Sequence, residues 1–198
     1  ITVGETRYDP TAFANCLIPP MGYPASDIAT TACLLSPTTW EPLLPTGRLS
    51  MTTNTEVENY LSKIEQYEDA QNNVGLNYAT TKKWQKQLLH FVGGSDIQQQ
   101  TFFQSYMNTM KNIVEDTVFA GNVTNYFKTS SNPLDPNVVT SVTQKIEDGV
   151  SIMNFFGHAA ASNNGFEINI DEPSNWNNFG KYPIVIGNSC YNGNIFKS

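Results

Sequence analysis

Cys190 stands in YPIVIGNSCYNGN, residues 182–194, just past the apolar run 183–187 and among Asn, Ser, Gly and Tyr. A free cysteine is among the most buried residue types, and reactivity more often than packing explains one in polar surroundings. A thiol attacks as thiolate, and a nearby imidazole can take its proton or steady its charge. The chain has two histidines. His158 follows Phe155-Phe156-Gly157, where a second apolar run ends. His90 sits inside LLHFVGG, in mid-strand, where a hydrogen-bonded core histidine is the plain reading. Cys190 and His158 are therefore the candidates for nucleophilic acyl transfer, although one Cys and one His are a weak signal by themselves.

Such a pair needs two strand ends side by side. Four apolar runs share one form: ITVG at the start, LLHFVGG (88–94), IMNFFG (152–157) and PIVIG (183–187). Each reaches a Gly and then a polar residue. Continuous rather than alternating runs predict strands covered on both faces, hence a parallel sheet between helices. Three helices are expected. In TNTEVENYLSKIEQYE, Val57, Tyr60, Leu61, Ile64 and Tyr67 follow a 3-4 spacing, with a capping box from Thr53 and Glu56 or from Thr55 and Glu58. A second helix is expected over 96–120, with Phe103, Tyr106, Met110, Ile113 and Val118 inward and Gly121 ending it. In LDPNVVTSVTQKIEDG, Asp135 reads as N-cap, Pro136 as first helical residue and Gly149 as the residue past the end. Residues 18–46, rich in Pro, Thr and Ala, read as a long ordered loop. The order is strand, loop, helix, strand, helix, helix, strand, loop, strand, an α/β chain. In open parallel sheets ligands bind beyond the carboxyl ends of the strands. His158 and Cys190 both fall there, and they face one cleft if their two strands are neighbours.

With 198 residues the chain is long enough for one sizeable domain with a real core. Charged residues make up 15% and the net charge is −7, so neither nucleic acid nor an anionic membrane is an expected partner. The longest apolar runs are strand-sized, far short of a membrane span. The chain opens on ITVGETRYDP, without Met and without a basic-then-apolar leader. A processed or excised piece is expected, with the sheet incomplete at both ends. Of three cysteines, Cys16 and Cys33 flank a Pro/Gly-rich loop. They form a disulfide, as suits an exported protein, or stand as two free thiols; both readings remain open.

NFFGHAAASNNGFE and the later KYPIVIGNSCYNGNIF resemble the His and Cys motifs of the gingipain-like cysteine peptidases, of the caspase-hemoglobinase group. The family pattern is an apolar strand, His, usually Gly, then an apolar strand, a small residue and Cys closely followed by Gly. Here these are Phe155-Phe156-Gly157-His158, then Ile184-Val185-Ile186, then Ser189-Cys190 with Gly193. GYPASD (22–27), PTGRLSMTTNTEVENYLSKIEQYE (45–68) and KKWQKQLLHFVGG (82–94) resemble stretches of the same family in the same order. The resemblance implies one caspase-like domain over residues 1–198, a mostly parallel sheet flanked by helices. It is nearest the large exported members of type IX secretion, including the PorU-type sortases. It implies Cys190 as nucleophile, His158 as proton carrier, the amides of Ala159 and Cys190 as oxyanion donors, a peptide or protein substrate, and no cofactor or metal. It further implies a place in the periplasm or at the cell surface, with other parts of a larger parent protein or secretion machinery as partners. Ala159 stands where the family has Gly, yet it keeps an N–H donor. The same dyad serves a peptidase and a sortase-type transpeptidase, and a non-catalytic secretion or binding module of this fold is the competing class.

Other candidates have plainer readings. Glu115 and Asp116 fall in the second expected helix, where a solvated face accounts for them. Asp171 and Glu172 precede Pro173 and read as a solvent-exposed turn, with orienting His158 or binding calcium as the alternative reading. Trp176, Tyr182 and Tyr191 are candidates for a substrate cleft or, more simply, for the core and its rim. Arg48 in TGRLS reads as half of a structural ion pair. Gly93-Gly94-Ser95 lacks the Lys and the spacing of a phosphate loop.

Overall fold

The computed structural model describes residues 27, 31–32, 41–49, 51, 53–73, 75, 77–128, 136–158 and 173–189. The expected ITVG strand, Cys16, Cys33, Asp135, Ala159, Asp171, Glu172, Cys190 and Tyr191 lie outside them, as does most of the expected loop over 18–46. The described residues fall into two compact units that divide between Glu58 and Asn59.

In the first unit an antiparallel bridge joins Ala32 to Pro42. Arg48 meets Asp27 as a fork, Nε to Oδ2 at 2.8 Å and the second guanidinium nitrogen to Oδ1 at 2.5 Å. That hydrogen-bonded pair holds the Asp27 carboxyl below its ordinary range. The structural role expected for Arg48 is the one found.

Four strands make the sheet of the second unit: β1 (Gln87–Val92), β2 (Asn122–Phe127), β3 (Ile152–Phe156) and β4 (Ile184–Asn188). All pairings are parallel and the order is β2-β1-β3-β4. Helices α1 (Asn54–Asn72), α2 (Tyr78–Thr81), α3 (Ile97–Val114) and α4 (Pro136–Asp148) connect or flank the strands. The α/β architecture with a parallel sheet between helices is as expected.

Local chemistry sets the helix limits. Thr53 and Glu56 form the reciprocal capping box at the start of α1, each side chain accepting the other's backbone N–H, at 3.0 and 3.3 Å. At its far end the buried Lys82 donates Nζ to the carbonyls of Ala70 and Gln71, supplying cationic donors to an exposed helix C-terminus. Pro136 opens α4, and Gly149, at φ +106°, follows its last residue, as the sequence predicts.

The core lies between α4 and one face of the sheet. Leu89, Phe91, Met153 and Phe155 meet Val142, Ile146 and Val150 there. The Phe91 ring stacks on Phe155 at 4.5 Å and on Tyr126 at 5.3 Å. Period-2 alternation sends Leu88, His90 and Val92 to the opposite face.

Three expectations are corrected. First, α3 stops at Val114 rather than Ala120, and the following residues turn into β2, which was not anticipated. Second, Tyr106, Met110, Ile113 and Val118 are exposed; the buried seam of α3 runs through Gln100 and Met107. Polar heads on that seam bond to backbone: Gln100 Nε2 donates to the Gly94 carbonyl at 3.2 Å and Lys111 Nζ to the Val123 carbonyl at 2.9 Å. Third, cover on both strand faces holds for β1 but not for β4. Ile184, Val185 and Ile186 are 61%, 60% and 45% exposed, since β3 is the only neighbour of β4 among the described residues.

Candidate active site

The C-terminal ends of the strands form one level edge. Val92 stands opposite both Phe127 and Phe156, and Phe156 stands opposite Asn188. Backbone bonds carry the ladder one step further, from Gly93 N–H to the Phe156 carbonyl at 2.9 Å and from Gly157 N–H to the Asn188 carbonyl at 3.4 Å. The chain leaves β1 for β2 on one side and later adds β3 on the other, so the strand order reverses between β1 and β3. A crevice beyond the carboxyl ends at such a switch point is where open parallel sheets bind ligands.

His158 stands at that edge, two residues past β3, with an exposed side chain. Its Nε2 lies 2.8 Å from Gln99 Oε1, across the switch point, and the Phe103 ring lies 5.6 Å from the imidazole at a 60° tilt. Both partners come from α3. The first turn of that helix is set by Asp96, whose Oδ1 accepts the Gln99 N–H at 2.9 Å. Phe103 also packs edge-on against Phe156 at 4.9 Å. Gly94 makes the tight entry into α3 at φ +139°; a Cβ there would sit 2.8 Å from Gln100 Cγ and 2.9 Å from its backbone nitrogen.

Cys190 and Ala159 lie outside the described residues. What precedes Cys190 is fixed: β4 runs beside β3 in parallel, and neighbouring strands lie about 4.8 Å apart. Ser189 carries a buried hydroxyl without a hydrogen-bond partner among the described residues.

The other histidine is of a different kind. His90 is only 2% exposed in mid-strand, flanked across the sheet by Asn125 of β2 and Asn154 of β3. Its burial is as expected, but among the described residues its Nδ1 has no hydrogen-bond partner, and neither has Asn125 Oδ1. Burial pushes the His90 pKa down, against a smaller opposing pull from the adjacent Asn125 amide.

The remaining candidates separate by location. Glu115 caps the C-terminal end of α3 with an exposed side chain, as expected, and it also accepts the Val123 N–H at 2.9 Å and pairs with Lys111 at 3.3 Å. The Val123 hydrogen bond, above all, holds its pKa low. Asp116 turns back onto the Thr117 N–H at 2.6 Å. Trp176 and Tyr182 line a cavity of about 980 Å³ with Tyr60, Tyr67, Phe155 and Val185. It lies along the flank of the sheet, and His158 is not in its lining. No group of three or more His, Cys, Asp or Glu able to hold a metal occurs among the described residues. None of their helices is long and apolar enough to cross a membrane.

Gln99 was missed in the sequence. Its signal was the spacing Asp96-x-x-Gln99, a capping-box pattern at the start of a helix. Here the Gln side chain accepts from Ser95 and His158 rather than from the N-cap backbone.

A four-stranded parallel sheet flanked by helices, with His158 at its switch-point edge, is an α/β domain consistent with a caspase-like fold. Across residues 1–198 the chain matches the model of Peptidase family C25. It belongs to that family, the gingipain family of cysteine peptidases. No curated protein and no solved structure matches the chain.

Proposed function

We propose that the protein is a cysteine endopeptidase in which residues 1–198 form one gingipain-like domain, with Cys190 as nucleophile and His158 as its proton partner. The observation that carries this reading is the register of β3 on β4, with Phe156 opposite Asn188. Two residues beyond Phe156 stands His158, and two beyond Asn188 stands Cys190. Membership in a family of cysteine peptidases supports the thiol chemistry.

The thiol proton passes to His158, and the thiolate sulfur attacks the peptide carbonyl. The backbone amides of Cys190 and Ala159 receive the oxyanion. The imidazolium gives its proton to the leaving amine as the C–N bond breaks, leaving a thioester. Water then hydrolyses the thioester and restores the thiol. The substrate is a peptide or protein met outside the cytoplasm, at the periplasmic or outer surface. The enzyme works there with other parts of a larger parent or of a secretion apparatus; this follows the likeness to exported members of the family.

The test is labelling of the thiol by a fluorescent iodoacetamide, with and without a peptidyl acyloxymethyl ketone, followed by peptide mapping. A reactive Cys190 protected by the ketone is the expected result, and an inert Cys190 would overturn the assignment. Product analysis with an added amine acceptor separates hydrolysis, which is expected, from transpeptidation.

A further inference from the structure

A chain of aromatic rings runs outward from the candidate base. The Phe103 ring lies 5.6 Å from the His158 imidazole and 4.9 Å, edge-on, from Phe156. Phe102 lies 6.4 Å from Phe103. Tyr106 stands edge-on to Phe102 at 4.8 Å and reaches back to Phe156 at 6.5 Å. The inner rings, Phe103 and Phe156, are half-buried. The outer two are not: Phe102 is 56% and Tyr106 49% exposed. A shallow hollow of about 440 Å³ beside Phe102 is lined also by Ile97, Gln98, Thr101 and Ser105. From Ile97 to Met110 the helix carries no charged residue, in a chain of net charge −7. Rings that fill no core yet continue a candidate site mark a surface that meets a partner.

We propose that Phe102 and Tyr106 form a ledge that receives apolar side chains of the substrate on the leaving-amine side of the scissile bond. The proposal rests on the peptidase reading above, in which His158 gives the departing amine its proton. That amine must then lie within hydrogen-bond reach of the imidazole. Among the described residues, the hydrogen-bond and ring contacts of His158 all come from α3. A peptide leaving the imidazole along α3 passes over Phe103 and reaches Phe102 and Tyr106.

At about 3.3 Å per residue, an extended chain brings its second and third leaving-side residues to the outer rings. Aliphatic or aromatic side chains there bury apolar surface against the rings and the hollow. A charged side chain would give up its hydration to a face that offers no counter-charge. The preferred substrate is therefore a peptide with apolar residues just beyond the cut.

Paired quenched peptides test this. The two share their acyl side and differ at the second and third leaving-side residues, Phe-Leu in one and Ser-Ser in the other. The wild type should cleave the Phe-Leu peptide with a kcat/KM at least about 10-fold higher. In Phe102→Ser and in Tyr106→Ser that ratio should fall toward one. Damage to the fold would lower both rates alike and leave the ratio standing. Ile113→Ser, at a position 69% exposed on a later turn of α3, should keep the wild-type ratio. A wild type without the preference, or ring variants that retain it, would overturn the proposal. Photocrosslinking reads the ledge without turnover. The leaving fragment p-benzoylphenylalanyl-leucyl-alaninamide should label residues within 97–110 of the wild type and lose that label in the Phe102→Ser/Tyr106→Ser double variant. No label there would equally overturn the proposal. If the wild type takes the label but cleaves neither peptide, the peptidase reading fails and the ledge stands as a site for apolar peptide.

Discussion

Phe156 and Asn188 face each other across two parallel strands, each two residues before a member of the proposed dyad. Both strands lead to the same edge of the sheet, and the proposed function puts the dyad at that edge rather than in the packed core. Cys190→Ala should therefore abolish peptide hydrolysis by several orders of magnitude while leaving the melting temperature unchanged. Turnover assays and thermal melts on the same samples check this. A mutant with wild-type turnover would remove Cys190 as nucleophile.

The two histidines should separate function from stability. His158→Ala should lose most of the activity at little cost in melting temperature, because its side chain is exposed. His90→Ala should do the reverse. Emptying a buried site costs about 3 kcal/mol, offset in part by removal of a buried nitrogen that lacks a partner among the described residues, worth about 1–3 kcal/mol. A net loss of about 1 kcal/mol is expected. The opposite assignment of the two effects would contradict the strand register.

The depressed pKa of His90 makes stability depend on pH. The unfolded imidazole takes up a proton near its ordinary value of 6.5, whereas the folded one resists until lower pH. Below 6.5 the unfolded state thus binds more protons, and stability falls as pH falls toward the folded pKa. Around the ring, Lys111 reinforces the depression and Glu115 opposes it. Melting curves from pH 7 to 5 should slope downward in the wild type and be flatter in His90→Leu. Equal slopes would show that other groups carry the acid sensitivity.

Two adjacent glycines should respond differently. Gly94→Ala forces a Cβ onto Gln100 at positive φ, a strain of about 1–3 kcal/mol, and should displace the turn that presents Gln99. Gly93→Ala meets only ordinary contact, 3.6 Å from Gly157 Cα. A clear drop in melting temperature is expected for Gly94→Ala and a small one for Gly93→Ala. Indistinguishable melts would refute the proposed strain at Gly94.

Most of the sheet was legible because β1, β3 and β4 are continuous apolar runs ending in glycine or in polar residues. β2 was not: Asn122, Thr124 and Asn125 dilute its apolar signal, and only Val123 is fully buried. The inward face of α3 was misread because its buried seam uses Gln100, flanked by the half-buried Lys111, and the heads of both bond to carbonyls. Exposed Tyr106, Met110 and Ile113 supply the stronger periodic signal. His158 could be located from its place after a strand. Gln99 could not, since its partner lies 59 residues further along the chain, and only the parallel crossover brings the two together.

The all-parallel pairing of the described strands also orders events in time. No pair can zip up as a hairpin, so each must close a long loop before its contacts are rewarded. During synthesis, β1 and β2 leave the ribosome before the strand that leads to His158, and the strand that leads to Cys190 comes later still. The Ile152–Ile184 pairing of β3 with β4 must form before the proposed dyad can meet at one edge. If His158 and Cys190 are the dyad proposed above, a nascent chain carries them as separate, unactivated side chains until β3 and β4 pair. On that reading proteolytic competence is a late product of folding, which spares the growing chain from its own chemistry.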